Sequence, residues 1–168
     1  GGGTSQSGQT VNNSVVLDNS KFLNKIIEID VKNRSCVVEP GIVLDELNRI
    51  LKPHGLWFPV DISTSSRATI GGMAANNSCG GRSIRYGTMR DNVISIEGFM
   101  SDGSYCHFGT MENPNTSDLS KALKLIGERD ALEIEYRFPK LIRRVGGYNI
   151  DALIPKGEPL NLSCTCWV

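Results

Sequence analysis

The sequence predicts an α+β fold built as a single domain of 168 residues. Three observations lead there. Short β-type apolar runs come in pairs around turn residues, once near 26–38 and again near 93–109. Helix-period apolar stripes run through "IVLDELNRIL" and "TSDLSKALKLIGER". Strands and helices do not alternate one for one, so a doubly wound sheet of βαβ units is not expected.

The chain opens with "GGGTSQSGQT", dense enough in glycine for the backbone to reach φ > 0 and approach another group closely. Read from Gly3, it nearly spells the triphosphate loop, with Gly3, Gly8, Gln9 and Thr10 in the defining places. Gln9 stands where that loop needs a lysine for the β and γ phosphates, and no strand precedes it. "SVVLDNS" then reads as a short buried strand closed by turn residues. In "IIEIDVKNRSCVVEPG", Ile27, Ile29 and Val31 alternate with polar residues, Lys32, Asn33 and Arg34 turn the chain, and Cys36, Val37 and Val38 return it. The next helix puts Val43, Leu44, Leu47, Ile50 and Leu51 on one face and stops at Gly55.

From Leu56 to Gly87 apolar periodicity disappears and Gly, Ser, Thr and Asn dominate, a long loop-like stretch of the functional kind. Regular structure resumes in "NVISIEGFMSDGSYCHFG", a hairpin turning at Asp102 and Gly103. A helix follows with Leu119, Ala122, Leu123 and Ile126 inward and Thr116 or Ser117 as its cap. Ile150 to Leu153 reads as a short helix ended by Pro155.

Composition excludes several functions. Residues are 39% hydrophobic and 21% charged, as in an ordinary globular protein. Eighteen basic residues balance eighteen acidic ones, so no overall field favours nucleic acid or a membrane surface, and Arg82, Arg85 and Arg90 read as a solvated face. No apolar run approaches the roughly 18 residues of a membrane span, and no signal peptide precedes Gly1. The five cysteines, irregularly spaced, point to a reducing compartment, the cytoplasm, rather than a disulfide framework. Neither they nor His54 and His107 carry metal-ligand spacing, so metal chemistry is not expected.

The functional weight falls on "PVDISTSSRATIGGMAANNSCGGRSIRYG". Small residues over ten positions let the backbone lie against a planar or extended ligand, with N–H groups, Asn and Ser as donors; tight internal packing uses the same residues. A long ligand carrying a diphosphate would need both this segment and the opening loop. Cys79 within it reads as a small buried residue, the redox-active alternative being rarer.

In their order, "GGGTSQSGQ", "EPG" before a helix, and "ATIGGMAANNSCG…RYGTMRDNV" with "DG" resemble the FAD-binding domain of the vanillyl-alcohol oxidase/p-cresol methylhydroxylase (PCMH-type) superfamily. Within it the chain is similar to the D-lactate, glycolate and D-2-hydroxyglutarate dehydrogenase branch. "FPKLIRRVGGYNIDAL" resembles the long bacterial members that also carry an iron–sulfur region. The resemblance covers residues 1–163 as a partial FAD-binding domain, incomplete at both ends, with 164–168 as a tail outside the pattern.

The resemblance implies that Gly2, Gly3, Thr4, Ser5 and Gly8, with Gln9 beside them, wrap the FAD diphosphate. It implies further that Pro59, Asp61, Thr69, Ile70, Gly71 and Gly72 line flavin and diphosphate, and that Asn77, Gly80, Tyr86 and Gly87 follow along the cofactor. No lysine is needed, because FAD has no γ-phosphate. Some relatives attach FAD through a histidine of the first loop; Thr4 and Ser5 stand there, so non-covalent FAD is expected. The implied activity is oxidation of a small D-2-hydroxy acid by hydride transfer to FAD. Its catalytic residues would belong to a substrate domain outside this chain, with an iron–sulfur region or another electron acceptor as partner. The alternatives are the FAD domain of a non-redox relative of the alkylglycerone-phosphate synthase kind, or a non-catalytic fragment. Arg143, Arg144 and Tyr148 could bind a substrate carboxylate, but support of the fold is the favoured reading.

Overall fold

The computed structural model describes residues 2–4, 13, 15–110, 118–141, 144, 146–156 and 160–165. Two antiparallel hairpins and six helices make an α+β arrangement among them. β1 (Ile26–Asp30) pairs with β2 (Ser35–Val38), and β3 (Ile96–Phe99) pairs with β4 (Tyr105–Phe108). The helices are α1 (Leu44–Leu51), α2 (Ile70–Ala75), α3 (Ser83–Tyr86), α4 (Met89–Asn92), α5 (Asp118–Arg129) and α6 (Ala131–Arg137). None is long and apolar enough to cross a membrane among the described residues.

The core forms where α1 folds onto the 60–73 segment. Leu44, Leu47 and Leu51 of α1 are buried with Ile42, Val60, Ala68, Ile70, Met73 and Met89, the amphipathic stripe that the sequence announced. Gly55, at φ +70, ends the short 3-10 extension of α1. Ile26, Ile29, Cys36 and Val38 of the first hairpin pack against this core. The inward set therefore differs from the expected Ile27, Ile29 and Val31, because a bulge between Ile26 and Glu28 shifts the alternation and turns Ile27 to solvent. The turn of the second hairpin lies at Met100–Ser104, with Gly103 at φ +81.

Three other expectations are corrected. Val15, Val16 and Leu17 form no strand and are exposed. The 56–87 stretch is not all loop, since α2 and α3 interrupt it. In α5 the buried positions are Ser120 and Gly127 rather than the apolar stripe; Leu119, Ala122 and Ile126 face solvent. Gly127 sets this rotation: a Cβ there would come within 2.1 Å of the Leu153 carbonyl oxygen, so the helix meets the Ile150–Leu153 turn at its one bare position. Thr116 and Ser117, the expected caps of α5, lie outside the described residues, and α6 carried no sequence expectation.

Candidate functional site

Residues 40–44 and 65–71 run side by side and fix where α2 starts. The N–H groups of Leu44, Ile70 and Gly71 donate to the carbonyls of Ala68, Ile42 and Pro40 at 3.0, 2.9 and 2.8 Å. Thr69 then caps α2, its Oγ1 accepting the Gly72 N–H at 3.3 Å. Ile70 and Met73 enter the core, so the opposite side of the helix carries only Gly72, Ala75 and Asn76, all exposed. Gly71 packs tightly: a Cβ would sit 2.5 Å from Pro40 Cβ.

Gly2 lies against Arg67, where a Cβ would come 3.4 Å from its backbone carbon and oxygen. The opening loop thus meets the second glycine segment just before α2, which the sequence could suggest only through shared composition. Gly3 adopts φ +65 with open space around its missing side chain, and Thr4 is exposed. Ser5, Gly8 and Gln9 lie outside the described residues.

A second junction joins 59–62 to 80–83. Pro59 is half-buried and Val60 belongs to the core. Asp61 Oδ1 accepts the Arg82 N–H at 2.9 Å, while the Gly80 N–H donates to Ser83 Oγ at 3.0 Å. Gly80 passes so close to Asp61 that a Cβ would lie 1.6 Å from its carbonyl oxygen. Gly87, at φ +80, leaves room for Asp91, whose carboxylate accepts the Thr88 N–H at 2.8 Å in a capping box for α4. Tyr86 is exposed and meets Trp57 edge-on at 5.2 Å; the Arg82 guanidinium lies 5.1 Å from the Trp57 ring.

Asn77 is the most deeply buried polar residue of this region among the described residues, 1% exposed and at φ +46. Its Oδ1 accepts the Arg90 N–H at 3.0 Å and Thr88 Oγ1–H at 2.9 Å. A backbone N–H can only donate, which fixes which end of the amide is oxygen. Nδ2 is left with no hydrogen-bond partner among the described residues. Burying an amide hydrogen without an acceptor costs roughly 1–3 kcal/mol, so this residue calls for an acceptor from a bound group. Thr88, which holds Asn77, was missed in the sequence, and the Thr88–Asp91 spacing was the signal that could have found it. Arg90, expected on a solvated face with Arg82 and Arg85, is instead largely buried, because its guanidinium pairs with Asp151.

Arg144 is occupied structurally: Nη2 donates to Asn149 Oδ1 at 3.0 Å and Asp151 Oδ1 at 2.9 Å, and its guanidinium lies 3.8 Å from the Phe138 ring centroid. Arg90 donates to the same two side chains. Arg143 lies outside the described residues, and Tyr148 is exposed.

Two adjoining glycine segments, a helix side free of bulk and a buried amide short of an acceptor suit an extended cofactor bearing acceptor atoms. They define a nucleotide-cofactor-binding domain. The chain belongs to the FAD binding domain family, whose description matches residues 1–109, and FAD is its cofactor. It is 35% identical over 173 residues to a D-2-hydroxyglutarate dehydrogenase of Pseudomonas putida, covering 97% of this chain and 17% of that protein. A D-2-hydroxyglutarate dehydrogenase of Escherichia coli is 34% identical over 161 residues, 89% of this chain and 16% of the relative. A D-lactate dehydrogenase of Archaeoglobus fulgidus is 35% identical over 136 residues, 80% and 30% of the two chains. The chain therefore spans about one sixth of the length of the D-2-hydroxyglutarate dehydrogenases it matches.

Proposed function

We propose that this chain supplies the FAD-binding part of a flavin-dependent dehydrogenase acting on a D-2-hydroxy acid of the lactate, glycolate or 2-hydroxyglutarate type. The observation carrying the reading is a match to dehydrogenases of such acids that extends over 97% of the chain, well beyond the first glycine segment. Residues 1–163 are assigned to the FAD-binding domain and 164–168 fall outside its pattern. When bound, FAD supplies an acceptor for the hydride from the substrate Cα–H.

The chain's own residues bind and orient. Gly2, Gly3 and Thr4 lead the backbone past Arg67, with Ser5, Gly8 and Gln9 assigned to the same loop, around the diphosphate. Thr69 to Gly72 set the small-residue side of α2 beside it. Asp61 holds the 80–82 loop in place through the Arg82 N–H, and Asn77 offers Nδ2 to a cofactor acceptor. Pro59, Gly80, Tyr86 and Gly87 complete the assignment. No residue here is assigned the proton of the substrate hydroxyl; that base, the hydroxy-acid site and an iron–sulfur region or other electron acceptor are assigned to the longer protein. FAD is held without a covalent bond, and the thiols of Cys36, Cys106 and Cys164, in no disulfide among the described residues, support a cytoplasmic setting.

The test has two stages. Titrating the chain with FAD, against ATP as control, should give saturable quenching of flavin fluorescence and a rise in melting temperature with FAD alone. Acid precipitation should leave the flavin in the supernatant. In the longer protein, anaerobic D-lactate, glycolate or D-2-hydroxyglutarate should bleach the flavin absorbance near 450 nm. No bleaching with any of the three would refute the dehydrogenase reading while leaving FAD binding intact.

A further inference from the structure

A cleft of about 510 Å³ opens between α4, the end of α6 and residues 151–156. None of the residues assigned to FAD lines it. Its inner wall holds two guanidinium groups and one shared carboxylate. Arg90 Nη1 and Nη2 contact Asp151 Oδ1 and Oδ2 at 3.1 and 2.9 Å, and Arg144 Nη2 contacts Oδ1 at 2.9 Å. Asp91 Oδ1 also lies 4.0 Å from Arg90 Nε at the half-exposed rim. Arg144, whose one ion-pair partner among the described residues is the shared Asp151, is thus the less compensated of the two. Water is scarce there, for the side chains of Arg90 and Arg144 are only 21% and 14% exposed. A buried guanidinium that shares its counter-charge is incompletely compensated, so Arg144 attracts an anion.

Hydrogen-bond bookkeeping points the same way. Arg144 uses both hydrogens of Nη2 on Asn149 and Asp151, while Nη1 and Nε bond no acceptor among the described residues. Asn149, 1% exposed, has its oxygen between the two arginines, and its Nδ2 has no partner among the described residues. Two donor groups of one buried node therefore lack acceptors among the described residues. Lys140 and Lys156 also line the cleft, without an ion-pair partner among the described residues. The carboxylates opposing them are few: Asp91 is engaged in the α4 cap, and Glu135 is exposed.

We propose that this cleft binds a small oxyanion, a carboxylate or phosphate group, on Arg144, with Lys140 and Lys156 drawing it in. The proposal is independent of the dehydrogenase reading. An oxyanion accepts from a guanidinium with charge-assisted hydrogen bonds, the strongest use of the free Nη1 and Nε donors.

The test uses the whole 168-residue chain with inorganic phosphate and with succinate, each at constant ionic strength against sodium chloride. Arginine Nε–H signals are followed by NMR. One such signal should shift saturably, and Arg144→Gln should abolish the shift. Because Arg144→Gln also disturbs Asp151, the Lys140→Gln/Lys156→Gln double variant provides a second arm. It should weaken anion binding about fivefold, the effect of two rim charges, and leave both melting temperature and FAD affinity unchanged. Response to succinate alone identifies a carboxylate ligand, and response to phosphate alone a phosphate. The proposal is overturned if neither anion saturates, if chloride acts equally, if the lysine variant binds as wild type, or if FAD displaces the anion.

Discussion

Replacing Gly80 by alanine tests whether the 80–83 loop is seated on Asp61 as closely as the structure places it. The new Cβ would fall 1.6 Å from the Asp61 carbonyl oxygen and 2.5 Å from its Oδ1. The first is backbone and cannot swing away like the end of a side chain, and the second is tied by the Arg82 N–H. To restore an ordinary contact the two segments must part by roughly 1.8 Å, overpacking of the kind that costs about 1–3 kcal/mol. That movement also breaks the 2.9 Å bond from the Arg82 N–H to Asp61 and strains the 3.0 Å bond from the Gly80 N–H to Ser83. Losing them adds about 2 kcal/mol, for a total of about 3–5 kcal/mol. In a chain of this size the melting temperature should fall by about 6–20 °C. Gly81→Ala is the control, because its Cβ would meet only Asp61 Oδ2, at 3.8 Å. It should change stability by less than about 0.5 kcal/mol. Thermal unfolding of the two variants decides: if Gly80→Ala melts within 2 °C or so of wild type, or Gly81→Ala is equally damaged, the close approach is wrong.

Other expectations follow from single residues. Asp151 is buried enough to oppose its ionisation, but the Arg90 hydrogen bond and the charges of Arg90 and Arg144 outweigh this and hold its carboxyl below the usual range. A depressed folded value means that its stabilisation is present above the unfolded pKa of about 3.9 and is lost as pH falls through the folded one. Asp151→Asn should therefore flatten the acid limb of stability against pH below about pH 4, while destabilising the chain at pH 7; a variant with the wild-type acid limb would contradict the pairing. Burial pushes the Cys36 thiol up, so comparison with Cys36→Ser should identify a slowly reacting thiol whose modification by a disulfide reagent accelerates only well above pH 8.5 or so. Gly3→Ala meets no atom but must adopt φ +65, at a cost of about 1 kcal/mol. It should weaken FAD binding several-fold in a fluorescence titration with little change in melting temperature.

The elements that were legible in the sequence owe it to strong local signals. α1 carries a full amphipathic stripe, and the second hairpin has Asp102 and Gly103 at its turn. α2 and α3 are six and four residues long, too short to display a helical period, and Thr69, read only as a cofactor-lining residue, is the N-cap of the first. The first hairpin was placed correctly and its inward face was not, because a one-residue bulge leaves no trace in composition. The α5 stripe misled for a different reason. Contact with Leu153 is governed by the bare Gly127, while Leu119 and Ile126 of the stripe face outward and Leu123 is half-buried. The site was legible as composition, while the pairing of Gly2 with Arg67 and of Gly80 with Asp61 is a matter of tertiary approach that spacing cannot encode.

Glycine-rich composition conceals two kinds of position, and the distinction makes a prediction across the site. Gly71 and Gly80 are small because protein lies against them, Pro40 in one case and Asp61 in the other. Thr69 caps α2 and Ile70 is core, so both also serve the fold. Alanine at Gly71 or Gly80 should lower stability and FAD affinity together, and restoring the fold at lower temperature should recover part of the affinity. Gly3, Thr4, Gly72 and Asn76 differ in being exposed. At Gly72 and Asn76, leucine substitutions should lower FAD affinity while the apo melting temperature stays within a few degrees of wild type, because added bulk there meets the cofactor rather than the core. The two phenotypes separate in a paired measurement of apo melting temperature and FAD dissociation constant. If Gly72→Leu and Asn76→Leu bound FAD as wild type does, the exposed side of α2 would not be the cofactor face. The buried Nδ2 of Asn77 would then have to find its acceptor elsewhere.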